Sequence, residues 1–200
     1  MENKASRTER IASQLLATRS REIVKFRSPF EEGSTTGYVL DVGPEFFLLL
    51  LIDDAVRFNG FQCLRLRDVR KLQVPAKYAA FHEAALRVRG EIAEKKPRVR
   101  LDKVSEILRT ASKAFPLIAI HREKVNPDVC RIGRVTGIDE SNVQMLEIGP
   151  DAIWETKPTE YRLREITRVD FGGDYEEALF LVGGAPKITK PKRRSSNETT

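Results

Sequence analysis

Two hundred residues, 40% hydrophobic and 32% charged with a formal net charge of +6, have the composition of an ordinary globular chain rather than a fibrous or low-complexity one. No apolar run is long enough for a membrane-spanning helix, and the opening MENKASRTER lacks the apolar region of a signal peptide, so the expected compartment is cytoplasmic. The charge divides unevenly: segment 75–115 carries ten basic and five acidic residues, segment 116–185 eight and thirteen, and segment 186–200 five and one. The basic centre and tail are suited to phosphate, whereas the acidic stretch would repel it.

In chain order, Ser6-Arg7-Thr8-Glu9 has the form of a capping box and predicts a helix in segment 1–20 with Ile11 and Leu15 on one face. From Ile23 the period changes to two, which predicts strands at 23–26, 37–42, 46–52, 61–66 and 69–74, with Asn59-Gly60 as the strongest short turn signal. Segment 75–115 carries two apolar rhythms of 3, 4, 3, 4: Tyr78, Phe81, Ala85, Val88, Ile92, and then Leu101, Val104, Leu108, Ala111, Phe115. With Lys95-Lys96-Pro97 between them, they predict a helical hairpin. Five more strands and a short helix after Asp174 fill 116–184, and 185–200 reads as a disordered basic tail.

The second set of strands repeats the first. Asp54-Ala55-Val56 returns as Asp151-Ala152-Ile153, Arg65-Leu66-Arg67 as Arg162-Leu163-Arg164, and Tyr78 as Tyr175, all 97 positions later. Gly37-Tyr38-Val39 returns as Gly133-Arg134-Val135 at an offset of 96, so one residue was gained or lost in the hairpin between. Strands in this order, an early Gly-x-Val, and a late Leu-Arg-Asp-Val or Leu-Arg-Glu-Ile step after a one-turn break resemble the Sm-like small barrel in two copies. The resemblance implies an α+β, mainly β fold: two tandem five-stranded barrels, 21–74 and 116–184, joined by the helical hairpin, which either pair with each other through edge strands or assemble with other copies into a ring. It does not extend to the RNA pocket of that family. The corresponding places read Asp41-Val42-Gly43-Pro44-Glu45 and Gly137-Ile138-Asp139-Glu140-Ser141, and no Arg-Gly precedes Val69 or Ile166.

Candidate chemistry is sparse. His82 and His121 have no cysteine or carboxylate at ligand spacing, so no metal is expected, and no nucleophile elbow or phosphate loop points to an enzyme or a cofactor. Cys63 and Cys130 read as packing thiols. The recurring pairs Arg65/Arg67 and Arg162/Arg164 alternate, which predicts a cationic ridge on one strand face; the competing reading is pairing with nearby carboxylates. Phe58 and Trp154, in equivalent loops, are candidate aromatic anchors or barrel plugs. The expectation is therefore a non-catalytic binding or assembly protein contacting a protein partner or a second copy through these six residues. The alternative is RNA or DNA binding through Arg87, Arg89, Lys95, Lys96, Arg98 and Arg100 with Lys190, Lys192, Arg193 and Arg194 of the tail.

Overall fold

A computed structural model describes residues 4–186. Helix α1 begins at Lys4, so Ser6 lies within its first turn and not at the expected cap, and the tail cations Lys190, Lys192, Arg193 and Arg194 lie outside the described residues. Helix α1 (Lys4–Thr18) precedes β1 (Ile23–Arg27), β2 (Thr35–Val42), β3 (Phe46–Ile52) and β4 (Phe58–Arg65). A one-turn 3-10 helix, Leu66–Asp68, then leads to β5 (Arg70–Gln73). Helices α2 (Ala79–Val88) and α3 (Val104–Ala111) follow. The second half contains β6 (Ile118–Arg122), β7 (Asn126–Ile138), β8 (Asn142–Glu147), β9 (Thr159–Arg162), a second 3-10 turn at Leu163–Glu165, β10 (Arg168–Phe171) and α4 (Asp174–Gly183).

The architecture corrects the expected pair of closed barrels. All ten strands form one open antiparallel sheet in the order β5-β1-β2-β3-β4-β10-β6-β7-β8-β9. Each half has the same internal order, but the outer edge of β4 is taken by β10, with Phe61 opposite Phe171 and Leu64 opposite Arg168. A strand edge satisfied by the other half has no need to close on its own. Each half still bends: β4 and β5 are separated by a single turn, yet four strand spacings, about 19 Å in a flat sheet, lie between them in the order. Matching bulges help the bend, at Val39/Asp41 in one half and Val135/Gly137 in the other. The Gly-x-Val motif gains a physical meaning here. A Cβ on Gly37 would sit 2.2 Å from the Leu50 carbonyl oxygen, and one on Gly133 2.3 Å from that of Leu146, so no side chain fits where these strands cross.

The halves share a core. Phe46, Leu48, Leu50, Phe61 and Cys63 of the first half pack in one cluster with Ile118, Ile120, Val143, Met145, Val169 and Phe171 of the second. Helix α3 closes it with Val104, Ile107, Leu108 and Ala111. On the other face of β3, Phe47 and Leu49 pack against Ile11 and Leu15 of α1, which explains why FFLLLLI is apolar throughout. The expected helical hairpin is absent. Gly90, at φ +70°, stops α2 before Lys95, and residues 91–101 form neither helix nor strand. Of the two stripes, only the second is buried; α2 instead buries Leu86, against Ile23, Ile52 and Ala76.

Candidate functional site

Two places in the molecule bring unusual groups together: the seam between the halves, and a groove that occurs once in each half.

At the seam, β4, β10 and β6 turn apolar residues to the shared core and polar ones to the opposite face. The Asp170 carboxylate, opposite Gln62, accepts a hydrogen bond from its Nε2 at 3.3 Å and lies 3.0 Å from His121 Nε2 and 3.2 Å from Arg168 Nε. Arg168 is also paired with Glu31 and lies 3.9 Å from Glu123. Burial alone would raise the pKa of Asp170, but Arg168 and His121 outweigh it and hold the carboxyl below its ordinary value. Glu123 goes the other way, because burial prevails over the attraction of Arg168. Arg65 belongs to the same junction: its Nη2 donates to the Ile166 carbonyl oxygen at 2.6 Å across the seam, and its guanidinium sits 5.3 Å from the Phe46 ring centre. This constellation holds the halves together. The pocket among these residues, lined by Arg65, Glu123, Thr167 and Arg168, has a volume of only about 10 Å³.

The grooves occupy the angle between the second hairpin of each half and the helix after its last strand. In the first half the groove is lined by Tyr38, Leu50, Phe58 and Leu86 and has a volume of about 490 Å³. In the second, the same four places are held by Arg134, Leu146, Glu155 and Gly183, and the volume is about 920 Å³. The first groove is occupied by its own chain: Tyr38 and Phe58 lie 6.3 Å apart, Leu86 is buried, and Glu91 accepts from Arg57 Nη1 at 3.2 Å and from the Phe58 amide at 3.4 Å. Burial, and secondarily Glu83, raises the pKa of the Tyr38 phenol. In the second groove Gly183 supplies no side chain, because a Cβ there would meet the Ala152 carbonyl oxygen at 2.6 Å. Trp154, half-buried and donating Nε1–H to the Gly184 carbonyl oxygen at 3.1 Å, forms one wall, and the exposed Ile153 forms its rim.

The six residues singled out in the sequence are therefore separated. Arg65 is buried and Arg67 is exposed on the 3-10 turn, so they do not share a strand face; Arg162 and Arg164 are divided by the same break. The alternation was real, but it spans the point where the strand ends. Arg162 faces Glu165 at 3.9 Å. Phe58 and Trp154 each line one groove, but they are not at the same place in the repeat: Phe58 corresponds to Glu155, and Trp154 to Arg57. Of the central cations, Lys96 pairs with Asp41 at 2.7 Å, Arg100 with Asp102 at 3.1 Å and Glu106 at 3.2 Å, and Arg89 donates to the Ala55 carbonyl oxygen. Arg87, Lys95 and Arg98 are exposed and have no ion-pair partner among the described residues. The sequence reading missed the seam residues His121, Arg168 and Asp170, although their polar alternation between Val169 and Phe171 was visible. It also missed Arg134 and Gly183, which only the repeat alignment with Tyr38 and Leu86 could have flagged. Cys63 and Cys130 are free, and no His, Cys, Asp and Glu group among the described residues is arranged to hold a metal. No helix among those residues is long and apolar enough to cross a membrane.

Comparison with known proteins does not narrow the reading: no family model, curated protein or solved structure matches the chain.

Proposed function

We propose that this is a non-catalytic cytoplasmic binding protein that takes a segment of a protein partner into the groove beside Trp154. The observation that carries this reading is the inequality of the two grooves. One is narrowed by Leu86, crossed by the chain at Glu91 and keeps about 490 Å³, while its counterpart, with Gly183 in place of Leu86, is nearly twice as large at about 920 Å³. Its lining suits a peptide. Ile153, Trp154, Leu146 and Pro158 offer apolar contact, and Arg134 and Glu155 stand ready to pair with polar groups of the ligand. Sheet extension is the less favoured route. Both outer edges are only four residues long; β5 is bulged, with Lys71 at φ +46°, and Pro158, immediately before β9, has no amide hydrogen with which to lengthen that edge.

The test is recovery of partners from the native host, after nuclease treatment, with the wild-type chain and with Ile153→Glu and Trp154→Ala. A stoichiometric protein bound by wild type and lost from both variants supports the groove; equal recovery by all three removes it. A second reading, nucleic-acid binding, is favoured by the unpaired Arg87, Lys95 and Arg98 on the central segment. Its mark is retained nucleic acid whose affinity falls steeply with salt and is lost when those three become serine.

A further inference from the structure

One pocket gathers positive charge from both halves. It has a volume of about 500 Å³, and its lining includes Arg7 of α1, Phe30 of the loop after β1, Arg67 and Asp68 of the first 3-10 turn, Arg70 of β5 and Lys124 of the turn after β6. Four cations therefore share the pocket with one carboxylate. None of the four has an ion-pair partner among the described residues.

Two of these cations are held against each other. The Val69 carbonyl oxygen accepts from Arg7 Nη2 at 2.7 Å and from Arg70 Nη1 at 3.0 Å, so two guanidinium groups meet on one neutral oxygen. Arg70 Nη1 is fixed further by the Arg67 carbonyl oxygen at 2.7 Å. A guanidinium has five N–H donors, so donors remain on both. Lys124 Nζ lies 5.9 Å from the centre of the Phe30 ring, which keeps its charge at the same pocket. Like charges this close repel one another, and an anion among them reverses the sign of that interaction.

The corresponding place in the other half is neutralised. Ile166, 97 positions after Val69, offers its carbonyl to a single arginine, Arg65. Glu165, in place of Asp68, pairs with Arg122 at 3.1 Å, and Thr167 stands in place of Arg70. The excess of cations is thus no requirement of the repeated scaffold.

We infer that this pocket binds the phosphate group of a small phosphorylated molecule through Arg7, Arg67, Arg70 and Lys124. Planar guanidinium forks match phosphate oxygens two at a time, and the net positive lining suits a dianion or diphosphate better than a single carboxylate. The volume falls in the range of small-molecule sites and leaves room for an organic group beside Phe30. Trp154, Arg87, Lys95 and Arg98 do not line this pocket, so the site stands apart from both readings above.

Isothermal titration calorimetry of the full chain with pyrophosphate, AMP and adenosine, at fixed ionic strength, tests the site alongside melting temperatures. Wild type is expected to bind pyrophosphate and AMP and to ignore adenosine. Arg67→Glu and Lys124→Glu alter exposed residues, so unchanged circular dichroism melts are expected, and each should weaken binding by about tenfold or more. Lys113→Glu makes the same change of charge outside the pocket and should leave the affinity unaltered, which separates a site from general positive charge. Neither heat nor a rise in melting temperature with either phosphate probe, adenosine bound as well as AMP, pocket variants as tight as wild type, or an equal loss in Lys113→Glu would each overturn the inference. So would binding of a single-stranded oligonucleotide without binding of pyrophosphate or AMP, because the cations would then follow a strand rather than enclose a small ligand.

Discussion

The two halves share a strand order, a bulge position and a glycine crossing, yet they differ behind the last strand. The first half folds a long segment back over itself: Leu86 narrows the groove, Glu91 caps Phe58, and Lys96 reaches Asp41. In the second half α4 presses so close to Ala152 that residue 183 has to be glycine, and the groove beside it stays open. The comparison teaches that a repeated scaffold does not imply a repeated task. One copy uses this surface for its own stability and leaves the other copy's surface available.

The strongest way to break this comparison is to separate the halves. Because the core cluster contains residues of both, chains cut at 92/93 are expected to remain unfolded individually, read as loss of the cooperative urea transition; two independently melting fragments would defeat the idea of a shared core. Next in size is Asp170→Asn, which leaves the buried Arg168 without its seam partner and should cost about 3–5 kcal/mol in urea unfolding. The sign of its pH dependence follows from the lowered pKa. Asp170 stabilises the fold above its unfolded value, near pH 4, and that contribution disappears as pH falls through the folded value. Glu123, raised by burial, opposes this, because it regains stability on protonation in acid. The acid limb of the stability profile should therefore flatten in Asp170→Asn and steepen in Glu123→Gln.

Smaller effects sharpen the contrast between the helices. Leu86→Ala opens a cavity in the first groove and should cost about 2–5 kcal/mol, whereas Leu181→Ala, on the exposed face of α4, should change stability by less than about 0.5 kcal/mol. Thermal melts of the two variants side by side settle this; equal losses would mean that α4 is packed in solution. Ile153→Glu should be the mildest for stability, within the same ~0.5 kcal/mol, while removing partner binding.

Much of the scaffold was legible in the sequence. The repeat, the strands and the one-turn break follow from alternation and from turn residues, which are local signals. What was not legible is which strand lies beside which. Val169 and Phe171 alternate in the same way whether β10 closes a barrel or joins β4, so the single sheet replaced the two barrels without any residue contradicting the pattern. The α2 stripe was read correctly as amphipathic and wrongly as buried, because periodicity identifies an apolar face but not its cover. As for the candidate site, Phe58 and Trp154 stand out in the sequence as aromatics of equivalent loops, although the residue in Phe58's place is Glu155. The difference between their grooves was hidden in Leu86 and Gly183, residues that are unremarkable singly and informative only as a pair.

The seam also sets a timetable for synthesis. Arg65 and the Ile166 carbonyl it holds are 101 residues apart, so β4 is complete long before its neighbour β10 exists. At translation rates of about 5–20 residues per second, that edge waits roughly 5–20 s without a partner. A nascent chain arrested after the first half therefore presents β4 with one edge unpaired, and holdase chaperones should crosslink to Phe61 and Cys63 until the second half emerges.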